Sequence, residues 1–157
     1  MGYNEMKINI IAVGKLKETY FVEACEEYLK RLSRFDNMSV IEVPEAPQGK
    51  SIEEQCKIEG ESILSKVHGY IIALDIKGKK YTSNDFAKLL QSKRNEGISE
   101  ISFVIGGSNG LSDDVRNKAD ALMSFSDMTF PHQLFRVMLL EQIYRAETIL
   151  NHIPYHK

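Results

Sequence analysis

The side chains best suited to chemistry lie in the last quarter of the chain. Three of the four histidines, His132, His152 and His156, fall within the final 26 residues, and the chain ends in IPYHK. An imidazole exchanges a proton near neutral pH, whereas Tyr155 and Lys157 are of the types that stack on bases and hold phosphates. The cluster is typical of contact with nucleic acid. From residue types alone, structural and functional roles for the histidines stay equally open.

A second candidate is the glycine-rich segment GGSNG at residues 106–110. Glycine lets a ligand approach the backbone closely. The segment is neither a phosphate-binding P-loop nor a GxGxxG fingerprint, although Asp127 lies about where a ribose-binding acid could fall. No GxSxG is present, and the pair Asp113 and Asp114 fits the favourable first turn of a helix. Hydrolase chemistry is therefore not indicated.

Metal and disulfide chemistry are not indicated either. Cys25 and Cys56 are 31 residues apart with no histidine close to them in sequence. That spacing fits neither a zinc site nor a disulfide framework. We interpret both as ordinary thiols of a protein in the reducing cytoplasm, and we expect no metal cofactor.

Length and composition restrict the function further. The chain has 157 residues, 43% of them hydrophobic, and a formal charge of −2 from 20 Lys+Arg against 22 Asp+Glu. This composition predicts one folded domain over residues 6–157, preceded by an extension at 1–5. No apolar run reaches the roughly 18 residues of a membrane span, so we expect no membrane partner. The low charge argues against indiscriminate binding of nucleic acid, which would have to depend on a local patch.

Hydrophobic periodicity predicts short apolar strands alternating with helices. Such alternation favours an α/β fold with a mostly parallel sheet flanked by helices, in which ligands bind beyond the carboxyl ends of the strands. Those ends are Leu74-Asp75, Gly106-Gly107 and residues 125–130. Residues 77–79 are expected to form a turn, and Ser83 or Asn84 to cap the third helix. The predicted strands are 7–13, 38–43, 70–75, 101–105 and 121–125, and the helices are 17–33, 51–66, 83–97, a short one from 112, and 131–151.

The last predicted helix is apolar on almost every side. A helix on the surface of a monomer normally keeps one polar face. We therefore expect a second subunit to cover part of it, giving a homodimer. The alternative is a central helix in a single small core. Its apolar residues are Leu134, Phe135, Val137, Met138, Leu139, Leu140, Ile143, Tyr144, Ala146, Ile149 and Leu150.

Several long segments together resemble the RlmH (YbeA-like) family of bacterial ribosomal RNA methyltransferases, which are of the SPOUT class. The segments are FVIGGSNGL at 103–111, SFSDMTFPHQLFRVMLLEQIYRA at 124–146, the terminal YHK, and MKINIIAVGKLK at 6–17. The resemblance covers nearly the whole chain from Met6.

The resemblance implies a SPOUT-type α/β knot, a deep C-terminal trefoil knot, in an obligate homodimer. Pattern alone does not predict this, since knots are very rare. The implied cofactor is S-adenosylmethionine (SAM), the methyl donor. By position, the residues expected to bind it are Leu74, Gly106, Phe125, Ser126, Asp127, Met128, Thr129 and Phe130.

The implied activity is methylation of a pseudouridine at ring N3 in large-subunit (23S) ribosomal RNA of the ribosome, in the cytoplasm. The acceptor nitrogen carries a proton that must leave, so His132 and His156 are candidate catalytic residues. Arg136 and the tail residues Tyr155, His156 and Lys157 are expected to contact RNA. Family members often end in Tyr-His-Arg. Lys157 keeps the charge but lacks the bidentate fork of arginine. The sequence therefore leaves open whether Lys157 binds one particular phosphate geometry or only adds positive charge.

The sequence is also compatible with two other classes of function. One is a non-catalytic RNA- or ribosome-binding protein. The other is a nucleotide-dependent oxidoreductase that uses residues 106–110 and Asp127. Binding of SAM, of NAD or of neither would separate the three.

Overall fold

The computed structural model describes residues 5–157, in which five strands and five helices alternate. The short apolar segments form the strands because their side chains can be covered on both faces of a sheet. The strands are β1 (Lys7–Val13), β2 (Asn37–Val43), β3 (Tyr70–Lys80), β4 (Glu100–Ile105) and β5 (Ala121–Ser124). The helices are α1 (Thr19–Leu32), α2 (Ile52–Leu64), α3 (Ser83–Asn95), α4 (Asp113–Lys118) and α5 (His132–Leu150).

The strands form one sheet in the order β2-β1-β4-β3-β5. Every neighbouring pair is parallel, which confirms the predicted mostly parallel α/β sheet. The apolar side chains alternate between two layers. Ile8 and Ile10 face a core shared with α1, α3 and α5, whereas Ile11 and Val13 face a smaller core shared with α2 and α4.

Side-chain caps fix where three of the helices begin. Ser51 accepts a hydrogen bond from the Glu54 amide, and Ser112 accepts one from the Val115 amide, as the sequence predicts. The prediction for α3 is wrong by one or two residues. Its cap is Thr82, whose hydroxyl accepts from the Asp85 amide at 3.0 Å, and Ser83 is the first helical residue. A hydroxyl oxygen replaces the missing helical acceptor equally well from threonine.

The third strand is longer than its apolar segment. Residues 77–79, predicted to be a turn, instead belong to β3, where an irregularity in the pairing with β5 extends from Leu74 to Lys79. Lys79 then pairs with Met123, and Lys80 with Ser124. A Cβ placed on Gly78 would lie 2.6 Å from backbone atoms of Leu122 and Met123, so glycine permits this close approach.

Helix α5 lies between α1 and α3 on the larger core. None of its 19 residues is fully exposed, even without a second chain. Leu139, Leu140 and Ile143 are completely buried against the sheet. Leu134 and Val137 are half-buried. The helix therefore packs within the core of its own chain and keeps half-buried apolar side chains on its outward side, and the homodimer stays a prediction.

Candidate functional site

A cleft of about 580 Å³ lies at the carboxyl ends of β3, β4 and β5. The connection after β4 leads to α4 on one face of the sheet, whereas those after β3 and β5 lead to α3 and α5 on the other. Chains that leave adjacent strands in opposite directions open a crevice between them, which is where α/β proteins bind ligands. The lining residues come from 74–76, 105–108, 110–111, 116, 123–126, 128–132 and 135.

The floor of the cleft is the glycine segment after β4. A Cβ on Gly106 would lie 2.9 Å from the Gly110 carbonyl oxygen and from the Leu111 side chain. The Gly110 amide donates to the Gly107 carbonyl oxygen at 3.0 Å, and Gly110 has a φ of 82°. Glycine at 106 keeps this turn narrow, and glycine at 110 tolerates the left-handed backbone. The main chain of this segment therefore forms the floor of the cleft.

An ion pair forms the polar side of the cleft. The Arg116 guanidinium donates from Nε to Asp75 Oδ2, and its NH1 donates to Asp113 Oδ1 at 3.2 Å. Burial alone would raise the pKa of Asp75, but the hydrogen bonds from Arg116 and from the Lys77 amide outweigh it and lower that pKa. Asp75 is thus a carboxylate, and Arg116 keeps its third guanidinium nitrogen, NH2, free of hydrogen bonds within residues 5–157.

Seven of the eight residues predicted to bind the cofactor line this cleft. They are Leu74, Gly106, Phe125, Ser126, Met128, Thr129 and Phe130. Asp127 lies in the same segment, but its side chain is 81% exposed and pairs with Lys80 at 2.5 Å. The Ser126 hydroxyl accepts from the Met128 amide at 3.1 Å, which folds the segment into a local turn.

The two candidate catalytic histidines lie near opposite ends of α5. His132 is the first residue of the helix and lines the cleft. His156 lies next to Arg145, whose NH1 is 3.1 Å from the imidazole Nδ1. Because a guanidinium only donates, that nitrogen must accept, and the proton of a neutral ring is then on Nε2. Thirteen residues of helix between His132 and Arg145 correspond to about 20 Å, so one chain does not bring both histidines to its own cleft.

Arg136 has a structural environment in this chain. It is 2% exposed, and its guanidinium donates to Glu42 Oε2 and to the Gly14 carbonyl oxygen, both at 2.5 Å. These contacts fasten the ends of β1 and β2 to α5. The prediction that Arg136 contacts RNA finds no support in this arrangement, because a buried and doubly bound guanidinium is not available to a phosphate.

The tail is held against the outer part of α5. The Tyr155 hydroxyl donates to Glu141 Oε2 at 2.7 Å, and its ring packs edge-on against Tyr144 with centroids 4.8 Å apart. Burial, followed by the neighbouring Glu141 carboxylate, raises the pKa of Tyr155. Lys157 is exposed, as the predicted RNA contact requires. The tail is therefore held against the middle of α5, at residues that lie about 14–18 Å along the helix from His132.

Sequence reasoning missed Arg116 as a residue of the cleft. Its position in a short polar helix resembles any solvent-facing arginine. The available signal was its place one turn after Ser112 on the helix that follows the glycine segment. Among residues 5–157, no group of three or more histidine, cysteine or acidic side chains could hold a metal ion. No helix in this part of the chain is long and apolar enough to cross a membrane.

The parallel sheet has a cleft at a switch point, and the last helix begins at that cleft. These features define the chain as an α/β protein with a cleft large enough for a small molecule at the carboxyl edge of its sheet. The sequence model described as "Predicted SPOUT methyltransferase" matches residues 6–156. The chain belongs to this family of methyltransferases.

Relatives and a solved structure agree with that assignment. A Clostridium perfringens (strain SM101 / Type A) protein named "Ribosomal RNA large subunit methyltransferase H 1" is 50% identical, over 97% of this chain and 100% of its own length. A "Ribosomal RNA large subunit methyltransferase H" of Clostridium botulinum (strain 657 / Type Ba4) has the same identity and coverage. The structure of "a probable methylase family protein" from Haemophilus influenzae Rd KW20 has a TM-score of 0.54 at 11% identity, covering 99% of this chain and 71% of that one, and shows the shared fold.

Proposed function

We propose that this chain is a SAM-dependent methyltransferase that methylates N3 of a pseudouridine in large-subunit ribosomal RNA on the assembled ribosome. The observation that carries the proposal is the cleft of about 580 Å³ at the carboxyl ends of β3, β4 and β5, in a chain of the SPOUT family. Relatives that are 50% identical over their full length bear the name of a large-subunit ribosomal RNA methyltransferase. Such relatives support the same substrate class here.

The residues of the cleft fit SAM. Apolar side chains such as Leu74 and Phe130 can cover an adenine ring, and the exposed main chain at Gly106 and Thr129 can donate to and accept from its edge. Arg116 offers a free guanidinium nitrogen for the carboxylate of the methionine part. The Asp75 carboxylate lies beside it on the same wall. When bound, the sulfonium supplies an already activated methyl group, so the chief task of the protein is alignment.

We assign the proton chemistry to the two predicted histidines. In the proposed methylation, N3 would form the new N–CH₃ bond as the S–CH₃ bond of the sulfonium breaks and leaves a neutral thioether, and the N–H proton would leave. His132 lines the cleft and can accept or relay that proton. The His156 imidazole, with Nδ1 facing Arg145, has its Nε2–H left to donate to a carbonyl of the base. His132→Ala and His156→Ala should each lower kcat on ribosomes, and wild-type turnover in both variants would contradict this assignment.

The working unit that we propose is a homodimer. Arg145, which contacts His156, lies about 20 Å along α5 from His132, so we infer that a second chain brings its own tail to the cleft. The outward side of α5 supports such an interface, since Leu134, Val137 and Met138 are only half-buried there. A groove of about 340 Å³ runs along this side between α5, the start of α3 and the end of β5. Tyr155, His156 and Lys157 would then contact RNA at the partner's cleft.

We also propose the deep knot that the family resemblance implies. Two features favour it. Residues 125–131 join β5, at one edge of the sheet, to the start of α5, which Arg136 fastens to β1 and β2 near the other edge. The outer part of β3 pairs with β5 just before that segment. The returning chain therefore has to pass the connection between β3 and α3.

Two measurements test the proposed function. Calorimetry should detect SAM binding and no NAD binding, because the cleft lacks a phosphate-binding loop. Purified protein and SAM should then restore a missing methyl group to large-subunit RNA of ribosomes from a deletion strain, at a pseudouridine mapped by mass spectrometry. If RNA from the deletion strain retains the mark, the proposed substrate is wrong. NAD binding without SAM binding would favour an oxidoreductase.

A further inference from the structure

Six exposed lysines lie at the edge of the sheet that holds the cleft, three on connections and three on the outer part of β3 (residues 75–80). The five connections and the outer part of β3 together contain no arginine and four acidic residues, so six lysines against four carboxylates leave a local charge of +2 in a chain whose formal charge is −2. The lysines are Lys15, Lys17, Lys50, Lys77, Lys79 and Lys80, and the acids are Glu18, Glu45, Asp75 and Asp127.

The lysines fall into two groups on opposite sides of the cleft. The Lys17 amide donates to Gln133 Oε1 at 3.1 Å, which places the β1–α1 connection beside His132 on one wall. Lys80 pairs with Asp127 at 2.5 Å, which places the outer part of β3 beside the 125–131 segment on the other wall. Only β4 lies between β1 and β3, so the β1–α1 connection and the outer part of β3 begin about 10 Å apart.

Most of the positive charge is not neutralised within the chain. Of the four acids, Asp75 is bound by Arg116, and Asp127 is bound by Lys80. Lys79 lies over the Tyr81 ring, 5.0 Å from its centroid, with its ammonium group still exposed. Lys15, Lys17 and Lys77 have no ion pair among residues 5–157. Free ammonium groups on both sides of a cleft mouth attract a polyanion that crosses it.

We propose that Lys15 and Lys17 on one side, and Lys77 and Lys79 on the other, bind phosphates of the RNA strand on either side of the nucleotide in the cleft. This inference rests on the proposed function and adds the surface that holds the RNA. Phosphate contacts fix the position of a strand without reading its sequence, and lysine binds phosphate as a point charge. The lysines therefore position the target base, while the cleft and the tail select it.

The test compares two double variants with a matched control. Lys15→Gln with Lys17→Gln, and Lys77→Gln with Lys79→Gln, each remove two charges from one side. Lys57→Gln with Lys88→Gln removes two exposed charges from α2 and α3, away from the cleft. Binding to unmethylated large ribosomal subunits is measured over a series of salt concentrations, with KM and kcat for methylation and with the SAM dissociation constant.

Each double variant at the cleft should reduce the slope of log K against log salt by about 1.4, since a phosphate contact contributes roughly 0.7 on single strands. KM for the subunits should rise several-fold, while kcat, SAM affinity and the control variant stay at the wild-type values. Wild-type slopes and KM in both double variants would overturn this inference and leave the proposed function intact. A wild-type protein that neither binds nor methylates the subunits would overturn both.

Discussion

Arg116 is the cationic side chain on the wall of the cleft, and two of its guanidinium nitrogens are already engaged by Asp75 and Asp113. The remaining NH2 lies 4.0 Å from where a Cβ on Gly110 would be. SAM has one carboxylate, on its methionine part. A guanidinium that is held by two carboxylates and still has a free donor is well placed to bind it.

Replacing Arg116 by Gln should therefore weaken SAM binding about tenfold, the lower end for a charge-assisted hydrogen bond because the side chain is one-third exposed. Decarboxylated SAM should bind wild-type protein and variant equally well, since the lost partner is absent from it. Calorimetry with both ligands measures the difference. Lys118→Gln on the same helix is the matched control, and an equal loss for both ligands would indicate a general effect on the cleft instead.

Some residues of the site could be predicted from the sequence, and others could not. The residues expected to bind the cofactor come from the family resemblance, and seven of the eight line the cleft because they lie at strand ends that a parallel sheet brings together. The environment of Arg136 could not be predicted. An arginine in an apolar helix suggests a functional charge, but its acceptors at Glu42 and Gly14 are 94 and 122 residues away in the chain. Only the folded chain shows that Arg136 is buried among them.

At the scale of elements, hydrophobic period located all five strands and all five helices, since each strand needs an apolar segment and each helix an apolar stripe. The outer part of β3 was missed because its sequence, KGKK, is polar and contains a glycine, which is typical of a turn. Its strand geometry comes from backbone pairing with β5 and not from side-chain burial. Such pairing leaves no hydrophobic signal in the sequence.

That pairing predicts the effect of Gly78→Ala. The added methyl group would lie 2.6 Å from backbone atoms of Leu122 and Met123, so β3 and β5 would have to separate. We expect a loss of about 1–3 kcal/mol in the free energy of unfolding, as for other overpacked sites. SAM affinity should fall as well, because β5 leads directly into the 125–131 segment. Denaturant unfolding and calorimetry measure both quantities.

The control for this change is Lys77→Ala, which alters a neighbouring exposed residue of β3 without adding an atom near β5. It should leave stability and SAM affinity nearly unchanged. Wild-type stability in Gly78→Ala would show that the contact between the two strands is loose and that β5 does not depend on it.

At the scale of the whole molecule, the end of the sheet opposite the cleft holds a buried charge cluster. Arg94 pairs with Asp36 at 3.0 Å and with Glu147 at 2.5 Å, and the side chains of both acids are completely buried. The cluster joins α3 and α5 to the start of β2. Burial, and then the neighbouring Glu147, raise the pKa of Asp36 to about 8, although Arg94 opposes them.

This cluster predicts that stability falls as pH rises. Unfolded Asp36 releases its proton near pH 4, whereas the folded protein retains it to about pH 8. The folded state therefore binds more protons in between, and the free energy of unfolding declines from about pH 4 to about pH 8. Asp36→Asn imitates the protonated acid, so it should flatten this decline and match the wild type only at about pH 4 and below, where Asp36 is protonated in both states.

Thermal unfolding at several pH values measures the difference. The exposed Asp114→Asn is the control and should keep the wild-type slope. A decline in Asp36→Asn as steep as in the wild type would assign the pH dependence to other groups. The sequence could not have indicated this cluster, because its three members are separated by more than 50 residues and each resembles an ordinary surface charge.

The proposed dimer predicts that two inactive variants restore activity when they are paired in one dimer. If the cleft of one subunit is completed by the tail of the other, a His132→Ala chain lacks a working cleft but keeps a working tail, and a His156→Ala chain has the reverse. In their heterodimer one site combines both defects, and the other combines the intact cleft with the intact tail. Each heterodimer has one intact site of two, so heterodimers freed of both homodimers should have about half of the wild-type activity per dimer. Each variant alone is expected to be nearly inactive.

The two variants are co-expressed, and their heterodimers are purified through two different tags. The heterodimers should show this activity on ribosomes from the deletion strain. No recovery would place each tail at its own cleft, which the separation of about 20 Å along α5 opposes.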